Sequence, residues 1–210
     1  MTGNAPNKIA ALAGRHILLT GGSTRIGAAV SRAFAAQGAQ VALQYNNSRD
    51  AAEQIQADAP DQITLVQGDV SATGAAAAIV AEAADKLGGL DGLINNAGSM
   101  LGRISTTQAP AEHVTKVFDL NAKSVWEATV AAHPYLQAAQ DAFVINTSSI
   151  AARNGGAGGA GLYAAAKSYV SSLTRGQAKE FAADGIRVNA VSPGVIETPF
   201  HDRDTPKDMM

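Results

Sequence analysis

The chain has 210 residues, 46% hydrophobic and 16% charged, a balance that suits one globular α/β domain with a sizeable core rather than a disordered chain. A formal charge of −2 gives no electrostatic case for a nucleic-acid or anionic-membrane partner. Cysteine is absent, excluding disulfides, thiol catalysis and thiolate metal sites, and His16, His113, His133 and His201 are too scattered to suggest a metal.

From the N-terminus, residues 1–14 read as a tail without the long apolar run of a secretory signal. No later stretch approaches the roughly 20 apolar residues of a membrane span, so a soluble, cytoplasmic protein is the default expectation. Short apolar runs then alternate with Ala-rich amphipathic segments, the pattern of βαβ units around a parallel sheet. His16–Thr20 is a predicted strand, followed by a Gly-rich turn and a helix to about Gln37, with Gly38 as its C-cap. Val41–Tyr45 is a second strand, and Ser48 is placed to cap the helix after it. Ile63–Val66 is a third strand, Ala75–Leu87 a helix, and Leu90–Ile94 a fourth strand. A long helical region spans Ala111–Ala139, with a kink or break expected at Pro134. Ala142–Asn146 is a fifth strand, Asn154–Gly161 a Gly-rich loop, Tyr163–Ala183 a helix, and Ile186–Val191 a sixth strand. The expected architecture is a single doubly wound α/β domain over residues 15–200, a Rossmann-type parallel sheet with helices on both faces.

A strand running into a Gly-rich turn and a helix can receive a dinucleotide, because the helix N-terminus presents unpaired N–H groups and a positive dipole end to the pyrophosphate. Gly21 and Gly22 allow the tight turn, and Gly27 is expected to let the helix pack on the strand. The segment Thr20–Gly27 misses the G-x-G-x-x-G template. It is, however, similar to the T-G-x-x-x-G-x-G turn of the short-chain dehydrogenase/reductase family, with Arg25 at the middle glycine. That replacement also occurs in branches resembling pteridine and 3-oxoacyl reductases. The resemblance implies cofactor contacts from Gly21, Ser23, Arg25, Ile26 and Gly27.

An NAD site usually carries an acid at the end of the second strand to hold both ribose hydroxyls, which repels a 2′-phosphate. Here the strand ends in Tyr45, Asn46, Asn47 and Ser48, so NADP(H) is favoured, with Arg25, Ser48 and Arg49 as candidate donors and NAD(H) as the alternative. Asp69 and Val70 resemble the family's adenine-edge contact, with helix capping as the competing role for Asp69. Asn95-Asn96-Ala97-Gly98 matches the family's N-N-A-G segment. Small Ala97 and Gly98 would let the backbone pass the ribose, Asn95 is expected on the adenosine side, and Asn96 is expected to be structural.

Tyr163 and Lys167 stand one helical turn apart, which allows a lysine charge to favour the phenolate of a group that ordinarily titrates near 10. Ser149 follows the fifth strand, with Ser148 as the runner-up for its role, and Asn121 sits mid-helix where an amide is a modest helix former. Their order and spacing are those of the same family. The resemblance implies Tyr163 as general acid/base, Ser149 polarising a substrate carbonyl, Lys167 lowering the tyrosine pKa and holding the nicotinamide ribose, and Asn121 ordering a water. It further implies cofactor contacts from Pro193, Gly194, Ile196 and Thr198, a small carbonyl or alcohol substrate of 3-oxoacyl, pteridine or sugar type, and a homodimer or homotetramer built on the long helices. Trp126, Tyr135, Tyr169 and Phe181 are expected in helix packing or subunit contacts. Residues 201–210 read as a truncated stub, because relatives resembling this chain continue further. The competing function is an inactive dinucleotide-binding sensor or scaffold, which would be expected to lose one of Ser149, Tyr163 or Lys167.

Overall fold

The computed structural model describes residues 12–196. Its strands are β1 (His16–Leu19), β2 (Gln40–Tyr45), β3 (Ile63–Gln67), β4 (Gly92–Asn95), β5 (Phe143–Thr147) and β6 (Arg187–Val191). They form one sheet in the order β3-β2-β1-β4-β5-β6, and every pairing is parallel. The sequence dictates that choice. Runs such as Val41-Ala42-Leu43 and Ile17-Leu18-Leu19 are apolar on both faces and fully buried, which only helices above and below a sheet can satisfy.

The helices are α1 (Arg25–Ala36), α2 (Arg49–Asp58), α3 (Ala75–Leu87), α4 (Ala111–Phe118), α5 (Ser124–Ala138), α6 (Ala151–Asn154) and α7 (Gly161–Glu180). On one face, α1 and α2 close over Ile17, Leu19, Val41, Leu43 and Ile63. On the other, α3 and α5, with Ala178 and Phe181 at the end of α7, close over Leu18, Ala42, Val66, Leu93 and Val144. The chain reverses its winding direction between β1 and β4, so the loops leaving their C-terminal ends diverge and open a crevice there. Among the described residues no helix is long and apolar enough to cross a membrane.

The long helical region runs without a gap from Ala111 to Ala138, as expected, but it contains a π turn and shows no break at Pro134. A π turn at Asp119–Lys123 separates α4 from α5, a feature that helical periodicity does not reveal. Pro134 neither ends nor breaks α5, which continues to Ala138. The carbonyl left without its usual donor belongs to Val130, on the exposed side of the helix where water can serve it. At the other end of α7 the predicted helix tightens into a 3-10 turn, Phe181–Asp184, before Gly185.

A buried polar seam crosses the α5 and α7 side of the sheet. Asn95 and Asn146 are paired in register, and Asn95 Nδ2 donates to Asn146 Oδ1 at 2.8 Å and to Thr129 Oγ1 of α5 at 3.0 Å. Asn146 Nδ2 donates in turn to Thr174 Oγ1 of α7 at 2.9 Å.

Candidate active site

The crevice is a cavity of about 580 Å³, within the usual size range of small-molecule sites. Its first wall is the turn after β1. Gly21 has φ +64, and a Cβ there would sit 2.9 Å from the Cα of Ala97. Only glycine satisfies both the left-handed backbone and the close approach. At Gly27 a Cβ would lie 2.0 Å from the carbonyl oxygen of Gly21, so this glycine accommodates the loop rather than the strand, as the sequence had suggested. Arg25, standing where the family has glycine, nevertheless takes φ +54. The N-cap Thr24 makes no side-chain cap and the first turn of α1 holds no acid, so the helix end faces the crevice with its dipole uncompensated.

Three side chains fix this turn, and sequence reasoning missed two of them. Gln44 accepts from the Gly21 N–H at 2.8 Å and donates to the Gly68 carbonyl at 2.7 Å, tying the turns after β1 and β3 together. Thr20 Oγ1 accepts from the N–H groups of Asn96 and Ala97 at 3.0 and 3.1 Å. Asn96, expected to be structural, donates to the carbonyls of Thr20 and Gly21. A glutamine buried inside an apolar strand was the available signal for Gln44.

Asn46, Asn47 and Ser48 line the crevice beyond the buried Tyr45. Ser48 occupies the N-cap of α2, but its hydroxyl makes no cap hydrogen bond. Arg49 does not face the crevice. Its guanidinium donates to Gln67 Oε1 at 2.7 Å and Glu53 Oε1 at 3.3 Å instead. Asp69 and Val70 line the wall, and Asp69 accepts from the backbone and hydroxyl of Ser71 in a local turn. It does not cap α3, whose N-cap is Gly74. Asn95 departs from expectation. Its amide is spent in the buried seam and points away from the crevice, which Asn96, Ala97 and Gly98 line instead.

The second wall comes from β5, α6 and α7. Ser149 hydrogen-bonds the Tyr163 phenol, and both side chains line the crevice. Ser148 has its hydroxyl engaged with α7, donating to the Lys167 carbonyl and meeting Ser171 Oγ at 2.7 Å. Lys167 is 2% exposed, its Nζ donating to the Thr147 carbonyl at 2.7 Å and lying 5.8 Å from the Tyr163 ring centroid. Burial brings its ammonium down to about 8. Burial also pushes the Tyr163 phenol up, against a smaller downward pull from the Ser149 hydrogen bond. The net shift of the phenol is upward, burial outweighing the downward pull of the Ser149 hydrogen bond.

Asn121 lies in the π turn, fully buried. Its Oδ1 accepts from the Ser99 N–H at 3.1 Å, and its Nδ2 donates to the carbonyls of Ser99 at 2.7 Å and Val117 at 2.9 Å. The carboxamide hangs the loop after β4 from the helix. Pro193, Gly194 and Ile196 line the far rim, where the Pro193 carbonyl accepts from the Ile150 N–H at 3.0 Å; Thr198 lies outside the described residues. Trp126, Tyr135 and Tyr169 are exposed, whereas Phe181 packs on the His133 ring at 4.6 Å.

Comparison with known proteins agrees with this geometry. The family model for short chain dehydrogenases matches residues 15–208. General stress protein 39 of Bacillus subtilis is 36% identical over 194 residues, covering 90% of this chain and 66% of its own. The 3-oxoacyl-(acyl-carrier-protein) reductase FabG of Staphylococcus aureus is 33% identical over 192 residues, covering 90% and 77%. A short chain dehydrogenase from Burkholderia cenocepacia in complex with NADP superposes with a TM-score of 0.85 at 32% identity, over 90% of this chain and 77% of that one. The NADH-dependent reductase A1-R′ complexed with NAD gives 0.82 at 34% identity, over 90% and 81%. The chain spans 66, 65 and 64% of the length of three Bacillus subtilis relatives. A glycine turn at the N-terminus of α1, a Tyr163–Lys167 pair on the opposite wall of the crevice and a sequence match along nearly the whole chain lead to one conclusion: the protein belongs to the short-chain dehydrogenase family.

Proposed function

We propose that the protein is an oxidoreductase that exchanges a hydride between a nicotinamide dinucleotide, NADP(H) by preference, and a small carbonyl or secondary-alcohol substrate. The observation that carries this reading is the convergence of Ser149, Tyr163 and Lys167 on a crevice whose other wall is the glycine turn. All three being present favours an enzyme over a sensor. The residues fit a dinucleotide: Gly21 and Gly27 leave room beside the dipole of α1, and Asn46, Asn47 and Ser48 give hydrogen-bonding partners for a ribose. When bound, the nicotinamide ring supplies the reducing equivalents. Tyr163, kept protonated by burial, then donates its proton to the substrate oxygen while Ser149 hydrogen-bonds and orients that oxygen. Lys167 adds a positive charge beneath the phenol that favours the anion left behind. Substrates of 3-oxoacyl, pteridine or sugar type suit the site.

Purified protein with NADPH and a panel of β-keto esters, quinones and ketoses is expected to consume the reduced nicotinamide absorbance with at least one compound. Tight cofactor binding with no turnover across the panel would favour the sensor. The preference for NADP(H) is supported by Asp69, on the β3 side, being the sole carboxylate on the crevice wall among the described residues, and by Arg25 in the phosphate turn. Arg25→Gly removes the cation yet suits φ +54, so strain cannot confuse the result. It is expected to weaken NADPH by about tenfold more than NADH in fluorescence titrations. Equal losses would remove the preference.

The apolar side chains left in solvent on α5 and α7 support a homo-oligomer. Trp126 is 45% and Val130 49% exposed one turn apart, with Tyr169 on the neighbouring helix. Trp126→Glu is expected to shift the sedimentation profile from dimer or tetramer towards monomer, and an unchanged profile would move the interface elsewhere.

A further inference from the structure

Gln44 grips both turns of the first crevice wall, with side chain and backbone alike. It is 2% exposed, between the buried Leu43 and Tyr45 of β2. Towards α1, its Oε1 accepts from the Gly21 N–H at 2.8 Å and its backbone carbonyl from the Gly22 N–H at 2.9 Å. Towards β3, its Nε2 donates to the Gly68 carbonyl at 2.7 Å, while the Gly68 N–H donates to the Tyr45 carbonyl at 2.9 Å. Gly68 is thus pinned through both backbone groups directly before Asp69 and Val70, which line the crevice. Ile79 of α3 stands behind it: a Cβ on Gly68 would come within 2.8 Å of that side chain, so the turn has no room to retreat. A buried carboxamide is costly unless both of its ends are bonded, and here both are bonded only when the two turns stand one glutamine apart. The Gly21 and Gly22 N–H groups are spent on Gln44, which leaves the first turn of α1 to meet a pyrophosphate.

We propose that Gln44 is a positioning residue for the dinucleotide: it sets the separation between the α1 N-terminus, which receives the pyrophosphate, and the Asp69–Val70 edge, which receives the adenine. This rests on the dinucleotide reading above. A residue that sets a span matters to a ligand that bridges it, and not to one that occupies a single side. Gln44→Met keeps the bulk but strands the Gly21 N–H and the Gly68 carbonyl. Titrations on the full chain compare NADPH and 2′-phospho-ADP-ribose, which span both turns, with NMNH, which lacks the adenosine half. The variant is expected to bind the two spanning ligands about tenfold more weakly, and NMNH within about twofold of the unaltered protein. In steady state the loss is expected in KM for NADPH rather than in kcat. Gln44→Asn, which keeps the amide one methylene too short to reach both turns, is expected to shift affinity in the same direction. Hydrogen exchange of the unaltered, cofactor-free protein, resolved by NMR, needs no variant: the Gly21 amide is expected to be protected before any ligand is added. Equal losses for NMNH and the spanning ligands, unchanged affinity for all three, or rapid exchange at Gly21 would overturn the proposal. Failure of the unaltered protein to bind either NADPH or NADH would instead refute the dinucleotide reading on which it rests.

Discussion

Tyr163→Phe is expected to lower turnover by about a thousandfold while leaving cofactor affinity nearly unchanged. The phenylalanine fills the same space against α7, so neither the crevice wall nor the phosphate turn is disturbed. What disappears is the proton that must reach the substrate oxygen as charge develops there. Burial holds the Tyr163 phenol above its ordinary value, which suits an acid: it arrives protonated throughout the neutral range. The Ser149 hydrogen bond favours the anion and so eases the loss of that proton at the moment of transfer. Single-turnover reduction monitored at the nicotinamide band, beside a fluorescence titration of cofactor, separates the two properties. Unchanged rates in this variant would remove the proposed acid.

Lys167→Met carries the second large effect, and it runs in opposite directions for activity and stability. Loss of the ammonium removes the charge that stabilises the phenolate, and a fall in turnover of about a hundredfold is expected. Stability responds to desolvation. The ordinary value for this group is 10.5, and burial brings it to about 8 in the folded chain. Between those values the unfolded chain binds the proton and the folded chain does not, so unfolding free energy rises with pH through the window from about 8 to 10.5. Below about 8 the folded protein carries the full cost of a buried charge, on the order of 3 kcal/mol by linkage. Methionine avoids that cost and forfeits only the hydrogen bond to Thr147, worth about 1 kcal/mol. Urea denaturation is therefore expected to show the variant more stable than the parent at pH 7. The advantage narrows by pH 10 as the parent sheds its proton. A gap of constant size at both pH values would mean that the lysine is not desolvated.

The parts of the fold that periodicity encodes were legible in the residues. Apolar runs gave the six strands, and the glycine turn announced its helix. Features that depend on a single inserted residue or on one long-range partner were not. The π turn at Asp119–Lys123 shifts the helical phase locally, and nothing in Asp119-Leu120-Asn121-Ala122-Lys123 distinguishes it from an α-helix. Asn121 was singled out as an amide in want of a reason; the reason is the Ser99 backbone, distant in sequence. Asn95 and Asn96 are adjacent and chemically identical, yet strand alternation sends one into the sheet seam and the other over the turn. Ser149 was separable from Ser148 only by family spacing, because the geometric reason, a hydroxyl already engaged with α7, needs the folded helix.

The asparagine–threonine seam also disciplines how the sheet can assemble. Side chains alternate along a strand, so slipping β4 or β5 by one residue would turn its amide to the opposite layer. The displaced amide would then be buried away from its seam partners, at about 1–3 kcal/mol for each stranded group, while Thr129 and Thr174 keep their bonds to the Val125 and Val170 carbonyls. Misaligned assemblies are thereby penalised before any ligand arrives, and the strand ends that carry the reacting groups come level only in the correct one.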